Sequence, residues 1–139
     1  MRICLLYLPA SKSGALEKAA TAMAQALRGK GHEVDLVSGA KGEIPRFAMA
    51  DYILIATEPL GFSGKMPPRL AGILGQSTGT SGKRSMAIVI KRGPFRNKAI
   101  KRLMKAMEGE GMAVNDWAVV ANAKDAAAAA AAAPIERKR

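Results

Sequence analysis

The sequence predicts an α/β fold with a five-stranded parallel sheet between two layers of helices, and three observations carry that prediction. Five apolar runs punctuate the 139 residues, near Arg2–Leu8, Glu33–Val37, Asp51–Thr57, Met86–Ile90 and Ala113–Ala121. They read as strands apolar on both faces, the pattern of a sheet covered on each side. Segments with helical spacing alternate with them, and a strand–helix–strand alternation builds parallel sheets through right-handed crossovers. A chain of this length suits one domain and buries roughly 68–70% of its unfolded surface, enough for a core on each side of a sheet. The expected domain is 1–133, with 134–139 as a basic C-terminal tail.

The first run, "RICLLYL", is apolar after its opening arginine. Leu16, Ala19, Ala20, Met23, Ala24 and Leu27 then recur at helical spacing, with Glu17, Lys18, Gln25 and Arg28 turned away. "GKGHEVDLV" stops that helix at glycine and opens the second strand. "GEIPRFAMA" leads to the third strand, "DYILIAT", which runs into the glycine- and proline-rich "EPLGFSGKMPP" and a helix predicted over Arg69–Gln76. After "STGTSGK" comes the fourth strand, "MAIVI". "KRGPFRN" separates it from a helix with Ile100, Leu103, Met104 and Met107 inward and Lys98, Lys101, Arg102 and Lys105 outward, closed by Gly109–Gly111. The fifth strand contains Trp117. Asp125 is read as the cap of a last helix through the alanine run, stopped by Pro134. Alanine favours helix but buries little area, so this end is expected to fray, with "IERKR" as a solvated tail.

Composition excludes several chemistries. One cysteine, Cys4, lies within the first strand and one histidine, His32, in a turn read as surface, so there is no His/Cys metal cluster and no cysteine–histidine pair. A lone buried cysteine fits a reducing compartment, and the cytoplasm is the expected location. The start "MRICLLYLPASKSGA" imitates a secretory signal in outline, but the same residues form the buried strand that the rest of the sheet needs and are read that way. No run reaches membrane-spanning length.

The formal charge is +11 and it is localised. Nine of the 22 Lys+Arg residues fall between Lys83 and Lys105 with no acidic residue among them, leaving 13 against the 11 Asp+Glu elsewhere. Such a field gathers anions: a pyridine-nucleotide phosphate, an acidic redox partner or nucleic acid. No nucleic-acid-binding motif accompanies it.

In open parallel sheets, ligands bind beyond the carboxyl ends of the strands where the strand order reverses. Three loops leave those ends: Ser11–Gly14, Glu58–Gly64 and Lys91–Asn97. At the first, unpaired N–H groups of a helix start would face an anion, Ser11 and Ser13 add hydroxyls, and Gly14 allows close backbone approach. The competing reading is that Ser13 caps the helix.

"SKSGAL", "TEPLGFSGKMPPRLAGIL" and "KRGPFRN", in that order, resemble the three loops of the flavodoxin-like superfamily, which includes flavodoxins and flavodoxin-like NAD(P)H:quinone reductases. The family loop commonly continues with asparagine and threonine where this chain has Ala15 and Leu16. The resemblance implies a three-layer α/β/α fold with strand order 2-1-3-4-5 and FMN as cofactor. The implied binding residues are Ser11, Lys12, Ser13, Gly14, Ala15 and Leu16 in the first loop, Pro59, Leu60, Gly61, Phe62 and Gly64 in the second, and Arg92, Gly93, Pro94 and Phe95 in the third. Electron transfer, as carrier or small NAD(P)H-dependent reductase, is the implied activity, with NAD(P)H or an acidic redox partner; such proteins also form homo-oligomers. Side chains alone supply no catalytic group, so a bound cofactor must carry any redox chemistry. The alternative is a flavin-free binding module whose basic helix docks an anionic partner.

Overall fold

The computed structural model describes residues 1–9, 14–39, 43, 45–59, 69–76, 79–90 and 96–135. In chain order its elements are β1 (Arg2–Leu8), α1 (Ala15–Gly29), β2 (Glu33–Ser38), a 3-10 turn (Phe47–Met49), β3 (Tyr52–Thr57), α2 (Arg69–Gln76), β4 (Arg84–Ile90), α3 (Arg96–Gly109), β5 (Ala113–Val120) and α4 (Ala123–Ala131). The five strands form one parallel sheet in the order β2-β1-β3-β4-β5. This is the expected three-layer α/β/α arrangement.

Alternation along the strands divides the core in two. Ile3, Leu5, Tyr52, Leu54, Met86 and Ile88 face a first layer made by α1 and α4. Cys4, Leu6, Ile53, Ile55, Ala87 and Val89 face a second made by the 3-10 turn, α2 and α3. Burial on both faces holds for the inner strands β1, β3 and β4. It does not hold for the edges: Glu33 and Asp35 of β2, and Ala113, Asn115 and Trp117 of β5, are exposed. An edge strand has a neighbour on one side only, and the helices cover it partly.

A bulge sits in β5. Val114 pairs with Ser85 but Asp116 pairs with Met86, leaving Asn115 as the extra residue. The Asn115 Oδ1 accepts a 2.6 Å hydrogen bond from the buried Tyr52 hydroxyl. Beyond the bulge the side-chain alternation is reset, so Trp117 stands beside Ala87 on the second-layer face.

The two helices that lead into β2 and β5 stop in the same way. Gly31 and Gly111 take positive φ (92° and 85°), and the next residue donates its N–H back to the helix: His32 to Leu27 C=O at 3.2 Å, Met112 to Met107 C=O at 3.3 Å. In this cap the residue after the glycine turns inward. His32 is therefore 9% exposed, where Met112 is 4% exposed at the matching position. This corrects its reading as a surface turn residue, and its Nδ1 has no hydrogen-bond partner.

Three expectations for the C-terminal segment change. The cap of α4 is Asn122, whose Oδ1 accepts the Asp125 N–H at 2.9 Å; Asp125 is the capped residue rather than the capping one. The alanine helix packs rather than frays: Ala126 and Ala130 are fully buried in the layer shared with α1, and Lys30 Nζ donates to Ala131 C=O at the helix end. Small side chains compensate for their small area by letting two helices approach closely. Ile135, read as the start of a solvated tail, is 4% exposed in the same cluster.

Two buried acids of the core fix the alkaline behaviour. Burial, reinforced by Asp35 and partly offset by a backbone hydrogen bond at Arg46, pushes the Cys4 thiol from 9.0 up to about 12. The Tyr52 hydroxyl is also shifted upward by burial and by Asp116, against the opposing Arg84. Both groups hold their protons in the fold at pH values where the unfolded chain loses them. Their contribution to stability is therefore complete below pH ~8.5 and lost as pH rises through the folded-state values. Urea midpoints are expected to hold steady up to that pH and fall beyond it; a midpoint constant to pH ~11 would contradict the assignment.

Candidate functional site

The chain leaves β1 for β2 in one direction and returns past β1 to β3, β4 and β5 in the other, so the strand order reverses between β1 and β3. Their carboxyl ends are Leu8–Pro9 and Thr57–Pro59. Thr57 is fully buried and its Oγ1 donates to Leu8 C=O at 3.0 Å, with Glu58 C=O at 3.4 Å. That hydroxyl ties the two strands together at the floor of the crevice. Its signal in the sequence, a threonine closing "DYILIAT", acquires meaning only when β1 and β3 are known to be neighbours.

From β1 the chain enters α1 through Gly14, which has φ 76° and ψ 0°, the left-handed conformation that glycine adopts without strain. Gly14 C=O accepts the Lys18 N–H at 3.0 Å, closing the first helical turn. Gly14 is itself the N-cap, and no side chain caps the helix from that position. A Cβ built on Gly14 would meet nothing within 4 Å, so a side chain at this position has room.

Ala15 is exposed, whereas Leu16 is fully buried in the first-layer core, so Leu16 presents its backbone rather than its side chain to the helix start. Glu17 occupies the first turn, where its charge suits the helix dipole and competes with any anion placed there. A groove of about 420 Å³ runs from Gly14 along the outside of α1, past Glu17, Lys18 and Thr21. Pro59 is half-buried at the end of β3. The remaining expected residues lie outside the described ones: Ser11, Lys12 and Ser13; Leu60, Gly61, Phe62 and Gly64; Arg92, Gly93, Pro94 and Phe95.

A second cleft, about 440 Å³, lies at the opposite end of the sheet against Cys4, Asp35, Arg46 and Met49. It borders the β2–β3 connection at its 3-10 turn, away from the strand-order switch. Among the described residues no group of three His, Cys, Asp or Glu side chains is placed to hold a metal ion, and no helix is long and apolar enough to cross a membrane.

No protein-family model matches this chain, and neither does any curated protein. Solved structures do. Oxidised Flavodoxin 1 from Bacillus cereus aligns over 94% of this chain and 95% of its own with a TM-score of 0.71, at 16% identity. The chain has the flavodoxin-like fold. The flavodoxin of Streptococcus pneumonia TIGR4 aligns over 95% of this chain and 99% of its own (TM-score 0.68, 18% identity). Two-electron reduced flavodoxin from Megasphaera elsdenii aligns over 93% and 99% (TM-score 0.63, 19% identity). Within this flavodoxin-like fold, the start of α1 and the Thr57 hydrogen bond stand at the carboxyl ends of β1 and β3, the end at which open α/β sheets receive ligands.

Proposed function

We infer that the chain binds FMN beyond the carboxyl ends of β1 and β3 and transfers electrons, as a carrier or as a small NAD(P)H-dependent reductase. The observation that carries this reading is the start of α1. It follows β1 at the strand-order switch through a left-handed glycine that carries no capping side chain and has room at its Cβ position. First-turn N–H groups and the helix dipole favour a phosphate there. The cofactor would supply the redox chemistry; the chain would hold its phosphate on the backbone after Gly14 and with Ser11 and Ser13. Pro59–Gly64 and Arg92–Phe95 would flank the ring, and Thr57 would keep the two strand ends in register.

The test is an FMN titration read by flavin fluorescence, with the absorption spectrum of the purified protein as a first indication. Gly14→Asn separates binding from folding, since asparagine tolerates left-handed backbone and its side chain would project into the open space. FMN affinity is expected to drop at least about tenfold in this variant, more than for Ser13→Ala, where one hydroxyl worth about 0.5–1.5 kcal/mol is lost. Melting temperature should move little. A protein that neither carries nor binds FMN sinks the reading; equal affinity for wild type and Gly14→Asn moves the phosphate elsewhere.

The second reading, a flavin-free module that docks an anionic partner through α3, is favoured by a specific observation: Lys101, Arg102 and Lys105 are all exposed. In the first reading the same charges would attract NAD(P)H or an acidic redox partner.

A further inference from the structure

The charges of α3 are arranged against the stability of the helix that bears them. Helices gain from acids in the first turn and bases in the last. In α1, Glu17 and Arg28 follow that rule. In α3 there is no acid in the first turn and no base in the last. Lys98 stands near its start and Glu108 near its end, the reverse of the favourable order. Lys98, Lys101, Arg102 and Lys105 are exposed on consecutive turns. Lys98 with Arg102 and Lys101 with Lys105 are like charges at i,i+4, the spacing at which they repel across a helix surface. Lys101, Arg102 and Lys105 have no ion-pair partner among the described residues.

The neighbouring edge strand adds an aromatic anchor. Trp117 is 52% exposed, and the β5 bulge turns it to the face on which α3 lies. Met104 and Ala106 of α3 pack with Val114 and Val119 of β5 against the same second-layer cluster, so the tryptophan stands on the sheet edge beside this helix. Trp117 on the edge strand and the cations of α3 sit on neighbouring elements of one layer, an aromatic and charges of the kinds a docking surface uses as anchor and steering groups.

We propose that α3 and Trp117 form the docking face for an acidic protein, with carboxylates of the partner neutralising Lys101, Arg102 and Lys105. The assignment stands on α3 and β5 alone and holds with or without flavin. Charge localisation favours a protein over a nucleic acid: the excess lies in one segment, and outside Lys83–Lys105 the chain is nearly balanced, 13 basic to 11 acidic. The exposed cations from Lys98 to Lys105 span about 10 Å of a convex helix, with three lysines to one arginine, whereas bidentate phosphate recognition prefers arginine.

The probe is a short fluorescein-labelled poly-L-glutamate, followed by anisotropy at low ionic strength and by the emission of Trp117, the one tryptophan in the chain. Binding is expected to shift that emission, to disappear at about 0.5 M salt, and to weaken at least about tenfold in Lys101→Gln/Arg102→Gln/Lys105→Gln. That variant should melt at the same temperature as the parent or higher, because the repulsion within α3 is gone; a fall in melting temperature would contradict the argument. Trp117→Ala should also weaken binding. The proposal is overturned if poly-L-glutamate does not bind, if the triple variant binds it equally well, or if an oligothymidylate of equal charge binds at least about tenfold more tightly, which would make the surface a nucleic-acid site. Adding FMN should leave the outcome unchanged, so loss of the flavin reading and loss of this one are separately visible.

Discussion

Gly79→Ala is expected to lower the unfolding free energy by about 3 kcal/mol or more, the sum of left-handed backbone strain and a steric collision. Gly79 has φ +77°, and a Cβ placed on it would collide with the Ala48 Cβ and lie 2.5 Å from its Cα. The obstruction is largely backbone and cannot rotate away. Ala48 belongs to the 3-10 turn that bridges β2 and β3, and Lys83 Nζ secures that turn by donating to Ala48 C=O at 3.2 Å and Ala50 C=O at 2.6 Å. Displacing the turn would loosen both contacts and uncover the second-layer core beside Phe47. Gly82→Ala is the control: its φ is also positive, +73°, but its Cβ would meet nothing within 4 Å. Its loss should be confined to backbone strain, about 1–2 kcal/mol. Urea denaturation of the two variants measures the difference, and equal losses would show that the Ala48 contact carries no weight.

Ala126→Leu is expected to cost about 2–3 kcal/mol, near the upper end for overpacking. Ala126 is fully buried where α4 lies against α1, whose Ala19, Ala20 and Ala24 are also fully buried. Three extra carbons on one helix must push the pair apart, and the separation loosens Ala130 and Ile135 as well. Ala128 is exposed on the same helix, so Ala128→Leu should stay within about 0.5 kcal/mol of the parent. Thermal or chemical denaturation distinguishes them. Similar values for both variants would mean that α4 does not pack as described and that the alanine run contributes only its helix propensity.

These variants also mark where sequence reasoning reaches its limit. Nothing in "STGTSGK" says that its third residue, Gly79, will lie against Ala48, because that contact joins segments far apart in the chain. Nor does the alanine run disclose a partner: its composition predicts helix, while the close approach to α1 depends on small residues on both sides. At the candidate site, a glycine opening a helix after the first strand was legible, but its left-handed conformation and its place as the N-cap belong to the folded chain. Thr57 was silent for the same reason, since its acceptor, Leu8 C=O, lies on a strand far away in sequence.

By itself the sequence determined the elements. Apolar runs between turns, alternating with segments of helical spacing, point to a covered parallel sheet, and the predicted α2 coincides with the observed Arg69–Gln76. The tertiary structure alone decided the edges and the directions in which certain side chains point. His32 turns inward because its helix closes on Gly31 as the next but one helix closes on Gly111. Trp117 faces α3 because a bulge at Asn115 resets the alternation of β5; simple alternation from Val114 would have placed it on the other face. Periodicity is a local property of the chain, whereas the cover over an edge strand, the register of a bulge and the partner of a buried hydroxyl depend on which distant segment lies alongside.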